Sequence, residues 1–274
     1  RPLEYPLFFN VSDMEWNPIT DRQISGLGQM PEKPEGSQFR QDFPIMGGSK
    51  AYTAVPYGLA IEFTWEMWRD ELYGVMRSMA KELKTASLNR QEIQAWSILN
   101  NAFSTSFVGF TAAESLCSAS HASFGTGSAQ ANRPSPDVGF SITYIQGAIR
   151  RFESLTNERG LPQLMAPVMS VIDPLNKFAA REIFGSSNVP YSADNEINAL
   201  VEEDLNYMVC HYLTTNTYHF LTAAKGEHDL HYLWRDRPIE DSFDDSWTKN
   251  AVFTIYQRHT EGFAAWKGVD GSTG

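Results

Sequence analysis

The sequence contains only two cysteines, Cys117 and Cys210, among its 274 residues. They fit no metal-ligand spacing and no disulfide framework, so a reducing cytoplasm is the simplest compartment, although a single structural pair stays open. Long apolar runs are also missing. No stretch reaches the roughly 18 residues that span a bilayer, and no signal-peptide pattern opens the chain.

Basic residues are scarce relative to acidic ones. There are 22 Lys and Arg against 33 Asp and Glu, which gives a formal net charge of −11 and a pI near 5.0. The longest basic run is Arg150-Arg151. A protein that holds nucleic acid through phosphate contacts needs clustered Lys and Arg, so the composition argues against that class.

Aromatic residues are abundant, with 7 Trp, 11 Tyr and 17 Phe. Together with a hydrophobic content of 42%, this composition is typical of a globular protein, and it suits broad interfaces as well as a core. A chain of 274 residues lies near the upper limit for one hydrophobic core. The length therefore allows one large domain or two interleaved subdomains.

The first part of the chain predicts extended structure. Residues 1–36 hold several turn formers and little periodicity, which indicates an arm that lies on another surface, such as a neighbouring subunit. From residue 38 to 63, short apolar runs alternate around Gly47-Gly48-Ser49, which predicts a long hairpin. Pro44 and Pro56 cannot donate to a strand ladder, so we expect these strands at an edge or projecting from the body.

A helical pattern begins at Thr64, with apolar residues at three- and four-residue spacing as far as Leu83. We expect a break near residues 86–88 and a second helix that starts with a capping box between Asn89 and Glu92. Two nearly collinear helices of roughly forty residues would form a rod of about 60 Å. Such a rod is typical of a structural spine.

The rest of the chain changes from helices to strands. A third helix is predicted from Ile142 to a glycine stop at Arg159-Gly160. "VMSVID" (168–173) predicts a buried strand, and the helix after it is capped by Asp173 and ended by Gly185. Beyond residue 200 the pattern is that of strands. Helices first and strands later indicate an α+β fold rather than a doubly wound sheet.

One segment, "SLCSASHASFGTGS" (115–128), has the composition of a catalytic loop, with Cys117 and His121 four residues apart. A hydrolase serine needs a sharp strand-to-helix turn, and a catalytic cysteine needs an activating base in a polarised setting. The sequence shows neither context. We interpret the segment as a polar connecting loop whose small residues provide conformational freedom.

No group of residues predicts a metal or cofactor site. His228 and His231 are three apart on a predicted strand, so they face opposite sides, and we expect exposed or hydrogen-bonded strand histidines. The acidic run 240–245 lacks the glycine and terminal glutamate of a calcium loop and predicts a solvated turn before Trp247. Gly125-x-Gly127 has no P-loop lysine after it.

Five motifs occur in the order known from one protein family. They are "YTAVPYGLAIEFTWEMWRDEL" (52–72), "FTAAESLCSASHASFGTGSAQANRPSP" (110–136), "GLPQLMAPVMSVIDPLNKFAAREIFGSS" (160–187), "NEINAL" (195–200) and "AAWKGVDGSTG" (264–274). Together they resemble the major capsid proteins of tailed double-stranded DNA bacteriophages, which have the HK97-like fold. The family's histidine and asparagine would be His121 and Asn132 here, whereas Glu114-Ser115 stands where the family often has Asp-Gly.

The resemblance implies a division of the chain. It comprises an N-terminal arm (1–36), an extended β-hairpin loop, the E-loop (37–63), a spine helix with the peripheral domain (64–160), a mainly axial domain (161–245) and C-terminal strands that return to the peripheral domain (246–274). The implied function is structural rather than enzymatic. Identical subunits would assemble as hexamers and pentamers into an icosahedral head around a double-stranded DNA genome.

The same resemblance implies the partners and the location. The partners are identical subunits, with portal, scaffold or maturation protease and decoration proteins as further candidates, and DNA held without sequence-specific binding. The protein would reside in the virion after assembly in the bacterial host cytoplasm. Because the chain begins at Arg1, we expect a leading segment that acted as a scaffold and was cleaved during maturation.

Residues of the E-loop and of the first spine turns are the expected contacts between subunits. They are Phe39, Phe43, Ile45, Lys50, Tyr52, Tyr57, Trp65, Trp68, Arg69 and Asp70. Two alternatives stay open on the sequence. One is an encapsulin-like compartment shell, and the other is a hydrolase that uses Cys117 and His121.

Overall fold

The computed structural model describes residues 2–70, 74–111, 114–189 and 197–274. The chain divides into two compact units. One is formed by Arg1–Ile19, Ala51–Ser97 and Leu230–Gly262, and the other by Thr20–Lys50, Ile98–Asp229 and Phe263–Gly274. Helices and strands occur in both, which confirms the predicted α+β class.

The first unit is built on a four-stranded sheet with the order β1-β8-β9-β4. Its strands are β1 (Asn10–Asp13), β4 (Val55–Phe63), β8 (Leu230–Asp244) and β9 (Ala251–Phe263). β1 runs parallel to β8, and β4 runs antiparallel to β9. The unit also holds α1 (Tyr5–Phe8), α2 (Trp65–Asp70) and most of α3 (Val75–Asn100).

α3 is continuous through residues 86–88, so the predicted break there is wrong. Ser87 is buried, and its hydroxyl donates to the Gln257 side chain of β9 at 2.9 Å, so this polar residue serves a tertiary contact instead of ending a helix. The 26 residues of α3 correspond to about 39 Å, shorter than the predicted rod.

Glu92 does not form the predicted capping box, because it lies in the middle of α3. Its buried carboxylate accepts hydrogen bonds from the backbone N–H groups of Glu4 and Tyr5 and from Trp96 Nε1. Trp96 in turn stacks on Phe8, with ring centroids 5.4 Å apart. The first part of the predicted arm therefore contains α1 and β1, and its residues are held on α3.

The second unit contains a sheet of order β10-β7-β5-β6. Its strands are β5 (Pro167–Ile172), β6 (Asn206–Val209), β7 (His219–Ala223) and β10 (Val269–Ser272). α4 (Ile142–Glu153) and α5 (Lys177–Gly185) complete it, with short 3-10 helices at Pro174–Asn176 and Ala199–Glu203. The core packs Tyr144, Ile145, Ile149 and Phe152 of α4 with Leu221 of β7.

Several predicted boundaries in this unit are confirmed. β5 occupies the predicted strand, Asp173 Oδ1 accepts from Leu175 N at 2.8 Å as an N-cap, and α5 ends at Gly185. The end of α4 differs from the prediction, because the helix ends at Glu153. Gly160 has a φ of +79° and instead serves a later turn, in which its N–H donates to Asn157 O at 3.0 Å.

The hairpin predicted over 38–63 is not formed, because the strands in this range pair with other strands. β3 (Met46–Tyr52) pairs with β2 (Ile19–Ile24), whereas β4 pairs with β9. The predicted turn glycines serve close packing: a Cβ on Gly48 would lie 2.1 Å from the carbonyl oxygen of Phe110. The paired strands flank the segment 25–45, which therefore forms the extended loop of this structure.

Replacing Glu92 with alanine removes the acceptor of three N–H groups. Since leaving buried donors unpaired costs about 1–3 kcal/mol each, partly relieved by water, we expect the free energy of unfolding to fall by about 2–4 kcal/mol. Urea denaturation at pH 7 measures this. Glu82→Ala, at an exposed position on the same helix, should change stability by less than about 0.5 kcal/mol. Equal losses in both variants would contradict the role of Glu92.

His259 of β9 is buried between aromatic rings. Its centroid lies 4.7 Å from that of Tyr57 and 5.1 Å from that of Tyr232, and both pairs are stacked. Neither ring nitrogen has a hydrogen-bond partner among the described residues. Burial, with the Arg90 charge adding to it, lowers the pKa of His259 from 6.5 to about 4.

This histidine should make the folded state sensitive to acid. Between its unfolded pKa of 6.5 and its folded pKa of about 4, the unfolded chain binds a proton that the folded chain excludes. The contribution is fully present above pH 6.5 and is lost as the pH falls through that window. From pH 7 to pH 5 we expect a loss of about 2 kcal/mol that His259→Phe, which keeps the stacking, does not show. Urea titrations at both pH values measure it, and identical losses in the two proteins would refute the assignment.

Candidate assembly interface

The segment 104–138, predicted to be conformationally free, is held in place by buried side chains. Leu116 and Cys117 are fully buried, and Ser115 Oγ donates to Cys117 O at 2.9 Å. Glycines allow close backbone approach: a Cβ on Gly125 would lie 2.1 Å from the carbonyl oxygen of Glu158. The small residues therefore serve packing, which corrects the prediction.

The side chain of Asn132 joins several parts of this segment by hydrogen bonds. Its Nδ2 donates to Leu116 O and to Val269 O, both at 2.8 Å. Its Oδ1 accepts from Ser118 N at 2.8 Å and lies 2.9 Å from His121 Nε2. Because both amide hydrogens point at carbonyls, Oδ1 faces the imidazole, which must present its Nε2–H there.

The His121 ring is buried and stacks on Trp266 with centroids 4.2 Å apart and planes 7° apart. Its Nδ1 lies 3.3 Å from Glu114 Oε2. Burial lowers the pKa of His121, and the hydrogen bonds to Asn132 and Glu114 oppose that shift. The ring therefore acts as a buried, packed group held between Trp266, Asn132 and Glu114.

Cys117 and His121 do not have the geometry of a nucleophile and its base. Burial raises the pKa of the Cys117 thiol well above its ordinary value, which is the reverse of activation. The polar atoms facing the His121 ring belong to Asn132 and Glu114. This arrangement orders a loop and offers no exposed thiolate.

A second buried polar group, not found from the sequence, lies in the same unit. Asp270 of β10 accepts two hydrogen bonds from Arg151, at 2.6 and 2.8 Å, and one from Tyr144 Oη at 3.1 Å. Burial raises the pKa of Asp270, and Arg151 opposes this. Spacing alone gives no signal for this contact, because the partners are more than one hundred residues apart along the chain.

Two predicted contact residues lie on the extended loop 25–45 and are highly exposed: Phe39 at 82% and Phe43 at 71%. The loop is fastened at its base by Arg159, whose Nη2 donates to Phe43 O and whose Nε donates to Gly26 O at 3.2 Å. Asp42 accepts from Gly28 N at 2.7 Å across the loop. Two large apolar side chains are thus presented to solvent on an anchored loop.

The other predicted contact residues differ in how far their side chains are buried. Trp65, Arg69 and Asp70 of α2 are exposed, with the Arg69 guanidinium 5.4 Å from the centre of the Trp65 ring. The side chain of Trp68 lies outside the described part of the structure.

Ile45, Lys50 and Tyr57 are half-buried, and Lys50 Nζ donates to Val108 O at 2.6 Å. Tyr52 is buried with Met14, Ala54 and Leu233, so its side chain packs inside its own subunit. The predicted contact of Tyr52 with another subunit stays a prediction that this burial does not support.

Other exposed apolar side chains were not predicted as contacts. The most exposed are Leu164, Trp247, Met30, Ile197 and Trp16. The acidic run also differs from its prediction, since residues 240–244 continue β8 and only Asp245 lies in the turn before Trp247.

Of the two candidate histidines, His231 lies in β8 and His228 is buried just before that strand. Asn195 and Glu196 of the "NEINAL" motif lie outside the described residues.

Within the described residues, no three His, Cys, Asp or Glu side chains are grouped so that they could hold a metal ion. None of the helices described is long and apolar enough to cross a membrane.

The chain matches the family model described as phage capsid protein over residues 48–269. No curated protein sequence matches it. The match covers most of the chain, including β4, α3, β8, β9, the strands β5, β6 and β7 and the His121 segment.

Solved phage structures, two of them titled as capsids, share the fold at low sequence identity. A structure from Microbacterium phage Oxtober96 is similar with a TM-score of 0.60 and 8% identity, covering 99% of this chain and 91% of that one. The capsid structure of cyanophage P-SCSP1u gives 0.62 and 9%, covering 98% and 87%. The acidic stable capsid of Helicobacter pylori bacteriophage KHP30 gives 0.61 and 9%, covering 96% and 85%.

The predicted fold class is thus confirmed by structures that align along almost the whole chain. The family match and these alignments agree on one conclusion: this chain belongs to the phage capsid protein family and is a structural major capsid protein with the HK97-like α+β fold.

Proposed function

We propose that copies of this chain assemble as hexamers and pentamers and close into an icosahedral head that encloses a double-stranded DNA genome. The observation that carries the proposal is the family match over residues 48–269, joined to a fold shared with capsid structures over nearly the full length. Assembly in the host cytoplasm, a scaffold or maturation protease, a portal and decoration proteins belong to the same proposal.

The exposed residues support a role in self-association. Phe39 and Phe43 on the extended loop, with Trp65 on α2, are large apolar side chains that cost free energy in water and gain it when a neighbour covers them. We propose that the extended loop lies over an adjacent subunit. A shell repeats each modest contact many times, so avidity holds the assembly together.

The charge supports containment rather than tight binding of the genome. A net charge of −11 repels phosphate, so an acidic inner wall would leave packaged DNA mobile. The division into arm, E-loop, peripheral and axial domains stays a proposal. In it, the E-loop is the segment 25–45 between β2 and β3 instead of residues 37–63.

A structural role rather than catalysis fits the most hydrolase-like segment. The Cys117 thiol is buried, and the His121 imidazole is occupied by Asn132 and Glu114. An encapsulin-like shell is the second candidate, since it would use the same fold. That function requires a cargo enzyme, whereas the family match is to phage capsids.

Electron microscopy of the purified protein tests the shell. We expect closed particles built from identical subunits, and particles from infected cells should contain DNA. A stable monomer at high concentration would refute the proposal. Particles that contain a host enzyme in place of DNA would favour the compartment shell.

Substitutions at Asn132 and Cys117 test whether the segment 104–138 has a structural rather than a catalytic role. Asn132→Ala removes the partners of two carbonyls and one N–H, so we expect a loss of about 3 kcal/mol in urea denaturation and fewer particles. Cys117→Ser, a nearly isosteric change, should still give particles. An acyl probe that labels the native chain and fails to label Cys117→Ser would instead indicate catalysis.

A further inference from the structure

The turn between β8 and β9 presents a tryptophan to solvent. Trp247 is 95% exposed, the highest value of any described tryptophan. The turn is fixed by Asp245, whose Oδ1 accepts from Trp247 N at 3.1 Å and whose Oδ2 accepts from Thr248 Oγ1 at 2.7 Å. Asp245 N also donates to Asn250 O at 2.9 Å, which closes the turn.

A tryptophan held this way is suited to be an anchor. Its indole has the largest apolar surface of any side chain, and the ordered turn means that little backbone entropy is lost on binding. Such preorganised aromatic side chains dominate the energy of protein interfaces. The structure gives Trp247 no packing role within its own turn that would explain the apolar side chain.

The same unit contains an apolar groove between α3 and the edge of the sheet. It has a volume of about 430 Å³ and is lined by Tyr57, Leu59, Ala86, Arg90, Ile255 and Gln257. Cavities of about 300–1,000 Å³ hold small ligands or single large side chains. Leu59 is 51% exposed at its rim, so the groove lacks an apolar cover in the isolated chain.

The groove carries a positive charge from Arg90, which also interacts electrostatically with the Glu261 carboxylate of the same chain. The Arg90 guanidinium lies over the Tyr57 ring at 4.3 Å from the centroid, and its buried Nε has no hydrogen-bond partner among the described residues. In the described chain no carboxylate oxygen lies within 4.0 Å of Arg90. Lys81, on the same helix, is exposed and extends the positive field, whereas Lys84 is paired with Glu240.

The surroundings of Trp247 are mainly acidic, and Lys249 is the basic residue of the same turn. Glu240, Asp241 and Asp244 are exposed on the last residues of β8. Lys84 already attracts Glu240 within one copy, at 3.6 Å. A tip that combines an indole with carboxylates therefore matches a groove that combines apolar walls with a guanidinium, and guanidinium groups stack favourably on indole rings.

We propose that Trp247 of one copy inserts into the groove lined by Tyr57, Leu59 and Arg90 of a second copy. This inference rests on the proposed shell function and names one of its contacts. The two surfaces differ, so the contact is heterologous and can close into a ring of subunits.

Engineered cysteines test the contact directly, since native Cys117 and Cys210 are both buried. Particles of Trp247→Cys/Leu59→Cys should form disulfide-linked dimers and larger species on a non-reducing gel. The matched control is Trp16→Cys/Leu59→Cys, because Trp16 is also exposed, at 75%, in the same unit. Linked species in both, or in neither, overturn the contact.

Assembly measurements distinguish the two proposals. Trp247→Ala should raise the protein concentration needed for particles at least about 10-fold, as expected for truncating a central aromatic anchor, while Trp16→Ala leaves it unchanged. If the unmutated chain forms particles and Trp247→Ala assembles equally well, the contact fails and the shell function stands. If the unmutated chain forms no particles, both proposals fail.

Discussion

The four hydrogen bonds of the Asn132 carboxamide organise the larger unit of this subunit. Two donors and two acceptor sites are all that a carboxamide has, and here each is used inside the protein. A long connection without helix or strand can be buried only if its backbone groups are paired. Asn132 supplies that pairing for the segment around Cys117 and joins it to β10 through Val269.

The same constraint appears wherever an irregular segment meets the core. Glu92 holds the N-terminal residues on α3, and Arg159 holds the base of the extended loop. Asp270 is kept inside the second unit by Arg151 and Tyr144. Glu92 and Arg159 replace hydrogen bonds that a regular ladder would provide, and Asp270 joins β10 to α4; each burial costs little because the charged groups have partners.

The separate roles of buried polar and exposed apolar side chains suit a shell subunit. Buried polar side chains fix the connections, so exposed apolar side chains such as Phe39, Phe43 and Trp247 need not stabilise the isolated chain. Their surface becomes useful when another copy covers it. Chemistry is not required of any of these positions, and the buried state of Cys117 and His121 agrees with a structural role.

The success of sequence reasoning varied with the range of the interactions. Asp173, Gly185 and the strand "VMSVID" were predicted correctly because caps and short apolar strands depend on neighbouring residues. Gly48 was mistaken for a turn because its actual role is contact with Phe110, far along the chain. Glu92 was mistaken for a cap for the same reason, since its partners are at residues 4 and 5.

The amino-acid sequence alone determined the α+β class, the resemblance to phage capsid proteins and most strand positions. Only the tertiary structure decided that β3 pairs with β2 and β4 with β9, that Tyr52 is buried, and that Trp247 is presented alone on a fixed turn. Periodicity and caps are encoded within a few residues. Strand partners and burial depend on contacts between distant residues, which a single sequence does not specify.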